Sequence, residues 1–204
     1  MKYTSKNFLY SLFRVRWKTA FQTYGNDHST LIGLIVDWWN NLSSKNFVLE
    51  SRPSFGRAKR KEGKGRGNCD AILGTNNDPI GVLEVEGPRK EKWKWCIQKF
   101  ENFFREFKTL EFAILFVYPY EPRGRGNNRK VDLDKPTIKR LLLNLSHKYP
   151  KKGVVLLILD KKFERKLKGI RTRNPYYQCT PMSVETLLFV NGKEQNEKLT
   201  FGKN

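Results

Sequence analysis

The stretch "GNCDAILGTNNDPIGVLEVEG", residues 67–87, sets three carboxylates into two apolar runs. Asp70 opens the first run, and Glu84 and Glu86 stand near the end of the second. Burying a carboxylate without a partner is strongly unfavourable, so these acids call for a cation. Residues i and i+2 of a strand face the same side, which puts Glu84 and Glu86 on one face. The turn composition of "TNNDP" folds the strand of Asp70 back beside them. Three carboxylates converging on one point repel unless a cation lies between them. Oxygen donors without His or Cys suit a hard ion, Mg²⁺ or Mn²⁺. The plain alternative is a polar strand face neutralised by lysines, since alternation alone often yields Glu-x-Glu.

The charge of the whole chain gives such a site a setting. The 204 residues carry 40 Lys and Arg against 20 Asp and Glu, a net charge of +20. An excess this one-sided works against compaction and favours a polyanion as partner. Lysine-rich surfaces of the thermophilic kind balance Lys with Glu; this one does not. DNA is the expected partner, and composition does not separate it from RNA. A metal would polarise the phosphate and activate a water, while Lys and Arg hold the backbone.

Other classes are disfavoured. Cys69, Cys96 and Cys179 are odd in number and widely spaced, so they fit neither a disulfide framework nor a zinc site. The start "MKYTSKNFLYSLFRVRW" lacks the unbroken apolar segment and small-residue cleavage site of a signal peptide. No apolar run approaches the roughly 18 residues of a membrane span. A soluble, cytoplasmic protein with no membrane partner is expected.

The elements that must position the acids follow from hydrophobic periodicity. "NDHST" offers capping residues before "LIGLIVDWWNNL", a helix that leaves Thr30, Gly33, Asp37, Asn40 and Asn41 on a narrow polar stripe. "NFVLESRPSF", "CDAILG" and "IGVLEVEG" read as three short strands of an antiparallel meander. From Lys90 the period changes: Trp93, Cys96, Ile97, Phe100, Phe103, Phe104 and Phe107 gather within an arc of about 120°, an amphipathic helix. "EFAILFVYPY" is a buried strand ended by Pro119. "DKPTIKRLLLNLSHKY" is a helix with Asp134 as cap and Pro136 in its first turn. "KGVVLLILD" is another buried strand and "VETLLFV" a last one. The order predicts an α/β fold, a single mixed β-sheet flanked by helices. One domain is expected over residues 1–204, with a core at about 28–160, an N-terminal arm and a basic C-terminal extension.

"CDAILG…PIGVLEVEG" in this setting resembles the core of the PD-(D/E)XK, or restriction-endonuclease-like, nucleases, whose αβββαβ order matches residues 28–118. The resemblance implies a metal-dependent DNA endonuclease that hydrolyses phosphodiester bonds, a restriction or DNA-repair enzyme. In that family the acids standing where Asp70 and Glu84 stand bind the metal, and the peptide carbonyl between the second acid and the next motif residue, here Val85, often adds a ligand. The usual lysine two residues after the second acid is Glu86 in this chain. Glu86 would hold or deprotonate the attacking water but cannot stabilise the charge on the phosphorane as lysine would. In some members the lysine comes from the following helix, which points to Lys99 at the flank of the apolar arc. The family's extra acid on the first helix corresponds to Asp37, equally readable as a surface residue. Symmetric cutting of a duplex needs two sites, hence an expected homodimer. A catalytically inactive nucleic-acid-binding protein on the same fold is the alternative.

Basic segments supply the expected grip. The loop "GRAKRKEGKGRGN" holds Lys59, Arg60, Lys61, Lys64 and Arg66, and "EPRGRGNNRK", read as a second loop, holds Arg123 and Arg125. "GIRTRNPYYQ" interleaves Arg171 and Arg173 with Tyr176 and Tyr177, pairing arginine for phosphate or base edges with tyrosine for stacking. Each of these stretches reads equally as a solvated surface. His28 and His147 stand alone and read as structural. Cys69 abuts Asp70, and alternation points it to the opposite face, into the core.

Overall fold

The computed structural model describes residues 27–42, 58–59, 66–67, 69–74, 79–118, 120–123, 127–130, 132–165 and 177–200. The first described element is helix α1 (Asp27–Leu42), followed by a small hairpin of β1 (Ala58–Lys59) and β2 (Arg66–Gly67). Strands β3 (Ala71–Gly74) and β4 (Pro79–Glu86), helix α2 (Lys90–Glu106) and strand β5 (Phe112–Val117) come next. A second hairpin, β6 (Tyr120–Arg123) with β7 (Asn127–Lys130), precedes helix α3 (Lys135–Lys148). Strands β8 (Gly153–Arg165), β9 (Tyr177–Val190) and β10 (Lys193–Thr200) complete the order.

The main sheet has the order β10-β9-β8-β5-β4-β3. Strands β4, β5 and β8 run parallel, while β3, β9 and β10 pair antiparallel with their neighbours. This is the mixed sheet flanked by helices that the element order predicts. Strand β5 is central and wholly buried, which accounts for its unbroken apolar sequence; a strand covered on both faces has no reason to alternate.

Two apolar layers sandwich the sheet. On one face Leu31, Ile35, Trp38 and Trp39 of α1 pack on Leu83, Val85, Phe112, Ile114 and Phe116. On the other, Trp93, Cys96, Phe100 and Phe103 of α2, with Ile138 and Leu142 of α3, cover Ile72, Val82, Ala113, Leu115 and Val117. The strand residues of the two layers alternate, as the pleat requires. Close approach makes one glycine necessary: a Cβ on Gly81 would stand 2.4 Å from the ring of its parallel neighbour Phe112. Helix α3 begins as expected, with Asp134 accepting the Thr137 N–H at 3.3 Å and Pro136 in the first turn.

Several expectations need revision. "EPRGRGNNRK" is a hairpin, not a loop, with Tyr120 opposite Lys130 and Arg123 opposite Asn127. The C-terminal part is no appendage: β9 and β10 are integral strands of the main sheet, and the boundary at about residue 160 falls inside β8. Polarity conceals strand β10 in the sequence, because "KEQNEKLT" is an edge strand with little burial to encode. The expected strand "NFVLESRPSF" and the N-terminal arm lie outside the described residues.

Candidate functional site

Topology gives one end of the sheet its importance. Strands β4, β5 and β8 all finish there, and antiparallel β3 and β9 start there. In open α/β sheets the carboxyl ends of parallel strands are the usual place for ligands. Asp70, Glu84 and Glu86 all lie at this end.

Asp70 sits in a bend just ahead of β3. Its own N–H donates to the Leu83 carbonyl at 3.0 Å, and its Oδ2 accepts the Val85 N–H at 2.7 Å. The side chain thus takes the place of the next backbone acceptor and closes the β3–β4 ladder. One step beyond the registered pair Ala71↔Leu83, Asp70 stands opposite Glu84. Glu84 shares the face of Val82 and points toward α2.

Glu84 and Lys99 are the only charged residues buried among the described residues, at 2% and 4% exposure. The Lys99 ammonium forms an ion pair with Glu84 Oε1. The Cys96 thiol donates to Glu84 Oε2 at 3.5 Å. Lys99 also lies 4.2 Å from the ring centroid of Trp95, a cation–π contact. Desolvation pushes the Glu84 carboxyl up from its ordinary 4.5 to about 7, with Lys99 pulling it back and Asp70 adding to the rise. Burial outweighs the salt bridge here, the behaviour expected of a pair taken far from water. The Cys69 and Cys96 thiols are raised chiefly by burial and next by Glu84, which leaves them unreactive.

The structure brings together Asp70, Glu84, the Val85 backbone and Lys99. It does not bring Asp37 to them: Asp37 is exposed on α1, which packs on the opposite face of the sheet. Glu86 shares the face of Glu84 by alternation and is half-buried at the end of β4. Its Cα lies two residues, about 6–7 Å, along the strand from that of Glu84. Among the described residues no group of three or more His, Cys, Asp or Glu side chains could hold a metal ion. The pair Asp70 and Glu84 still fits Mg²⁺, which keeps several waters and is commonly held by one or two carboxylates. Cys69 is also displaced from expectation. The bend at Asp70 breaks the alternation, and the thiol joins the α2 layer beside Ile72 and Val82.

Sequence reasoning identifies Lys99 but misses Cys96 and Trp95, which precede it by three and four residues. Helical spacing is the available signal, since i and i+3 or i+4 are neighbours on a helix surface. Of the basic and aromatic residues expected to grip nucleic acid, Lys59, Arg66, Arg123 and Tyr177 have their backbones in β1, β2, β6 and β9. Arg60, Lys61, Lys64, Arg125, Arg171, Arg173 and Tyr176 lie outside the described residues. In chain order β2 precedes β3, β6 follows β5, and β8 precedes β9, while β1–β2 and β6–β7 form two-stranded sheets of their own. The β1 strand of the first hairpin also packs against α2.

Comparison with protein-family models, with curated proteins and with solved structures returns no match for this chain. No described helix is long and apolar enough to cross a membrane.

Proposed function

We propose that the protein is a metal-dependent DNA endonuclease of the restriction-endonuclease-like kind. One observation carries the reading. Helix α2 delivers a buried lysine to a buried glutamate on β4, directly across from an aspartate that opens β3. Burying that ion pair is expensive and rarely repaid in stability, so its retention at the carboxyl end of the parallel strands favours a chemical role.

Asp70 and Glu84, with the Val85 carbonyl, would hold Mg²⁺ or Mn²⁺. When bound, such an ion supplies charge neutralisation and an activated water. Lys99 supplies the positive charge that would steady the phosphorane, the task that Glu86 in the usual lysine position cannot perform. Glu86, at the open end of β4, orients or deprotonates the water. The basic segments attached at this end hold the backbone, in keeping with a net charge of +20. Cutting both strands symmetrically calls for a homodimer.

The test is plasmid nicking with Mg²⁺, Mn²⁺ or EDTA, alongside single-stranded, branched and RNA substrates. Cutting should require the metal, and Asp70→Asn should abolish it while leaving DNA binding intact. Undiminished cutting by the pure Asp70→Asn/Glu84→Gln protein would overturn the assignment of this site. Tight DNA binding without cutting under any metal would instead favour an inactive nucleic-acid-binding protein on the same fold.

A further inference from the structure

Both oxygens of the Glu84 side chain are engaged within the protein. Oε1 faces the Lys99 ammonium, and Oε2 accepts from the Cys96 thiol at 3.5 Å. A divalent ion on Glu84 must therefore take an oxygen that another group now holds. The two holders are unequal obstacles. A thiol is a weak donor and gives way easily, whereas the ammonium is a full charge standing where a cation would stand.

Lys99 is held from two sides, by Glu84 and by the Trp95 ring, whose centroid lies 4.2 Å away. A ring face attracts a cation without neutralising it, so Trp95 is a partner for Lys99 that a metal does not contest. Trp93, Cys96 and Phe100 of the same helix are fully buried, but Trp95 is only half-buried. On that side the ammonium has a neighbour at the surface. Across the strands, Asp70 is fixed by the Val85 N–H at 2.7 Å and raises the negative potential at Glu84. Two acids thus share one ammonium, a balance that a doubly charged ion would complete.

We infer that Lys99 is an internal counter-ion that holds Glu84 until a divalent metal arrives, ammonium and metal competing for one carboxylate oxygen. The inference rests on the nuclease reading for its metal. It adds a control to that reading: the site loads only as Lys99 lets go of Glu84. Lys99 released in this way stays on α2 beside Trp95, its charge then available to the phosphate.

The experiment measures Mn²⁺ binding by electron paramagnetic resonance of the free ion, with neither nucleic acid nor turnover. It compares full-length wild type with Lys99→Met and Lys99→Arg. An ammonium a few ångströms from a divalent ion weakens its binding about tenfold even at the dielectric of water. Lys99→Met should therefore bind Mn²⁺ at least about tenfold more tightly than wild type, and Lys99→Arg no more tightly than wild type. Adding Asp70→Asn to Lys99→Met should remove the gain, which would place the ion at this site. Because Lys99→Met splits a buried pair and can fail to fold, a second measurement uses wild type alone. Reductive methylation read by peptide mass spectrometry should find Lys99 resistant without metal and faster to react under saturating Mn²⁺. Equal Mn²⁺ affinity in wild type and folded Lys99→Met would overturn the counter-ion. So would methylation of Lys99 that saturating Mn²⁺ leaves unchanged or slows. Either result leaves the nuclease reading standing. Failure of all these proteins to bind Mn²⁺ would defeat that reading, and the counter-ion with it.

Discussion

The two faces of the sheet are built from similar amounts of apolar side chain and differ in what else they bury. The α1 face packs Leu31, Ile35, Trp38 and Trp39 on Leu83, Val85, Phe112, Ile114 and Phe116, with no charge buried in it among the described residues. The α2 face has an equally apolar layer but encloses a carboxylate, an ammonium and a thiol side by side. The first face is what a sequence selected only for folding would produce. The second accepts the desolvation of two ions, and does so at the end of β4 where β3 begins. One sheet thus carries a purely apolar layer on one side and, on the other, an apolar layer that encloses an ion pair.

The largest effect should come from splitting the buried pair. Lys99→Met leaves Glu84 uncompensated among Trp93, Cys96 and Val82, and should destabilise the fold by about 3–5 kcal/mol in chemical denaturation. Lys99→Met/Glu84→Gln should recover most of that loss, because no ion then remains buried. A double variant as unstable as the single one would mean that Lys99 contributes through the packing of its stem, and the contrast between the faces would weaken.

A cavity on the α1 face provides the matching control. Ile35 is fully buried there, and Ile35→Ala should lower stability by about 2–5 kcal/mol. No partner residue should rescue it, and the loss should be the same at pH 5 and pH 8. A loss that varies with pH would show that the α1 face communicates with the ion pair.

The last expected effect is the pH dependence of the intact protein. Folding raises the Glu84 carboxyl from 4.5 to about 7, so between those pH values the folded state holds a proton that the unfolded state releases. Its contribution is therefore full below about pH 4.5, declines as pH rises, and levels off above about pH 7. Thermal melting of wild type minus Glu84→Gln should isolate a difference with that downward slope. A flat or rising difference would show that Lys99 holds Glu84 ionised throughout.

Much of this architecture is legible in the chain because it is local. The arc of Trp93, Cys96, Phe100 and Phe103 declares α2, the apolar run at residues 112–117 declares a covered strand, and Asp134 with Pro136 announces α3. Burial and capping act over a few residues, so periodicity records them. Lys99 is legible in the same way, as a lysine at the flank of that arc. Asp37 misleads for the opposite reason: it has the right type and local position, while its distance from Asp70 depends on elements far away in sequence.

The sequence by itself determined the element types, the α/β class, the charge that favours a polyanion, and the presence of acids on neighbouring strands. Only the tertiary structure decided that Lys99 meets Glu84, that the Asp70 carboxylate closes the ladder at Val85, and that α1 takes the opposite face and carries Asp37 away. It also decided that the polar "KEQNEKLT" becomes strand β10, at the edge of the main sheet among the described residues. The physical reason is one of range. Side-chain periodicity reports how a segment meets its immediate surroundings, whereas register and strand order bring together residues many positions apart, through pairings that no local pattern encodes.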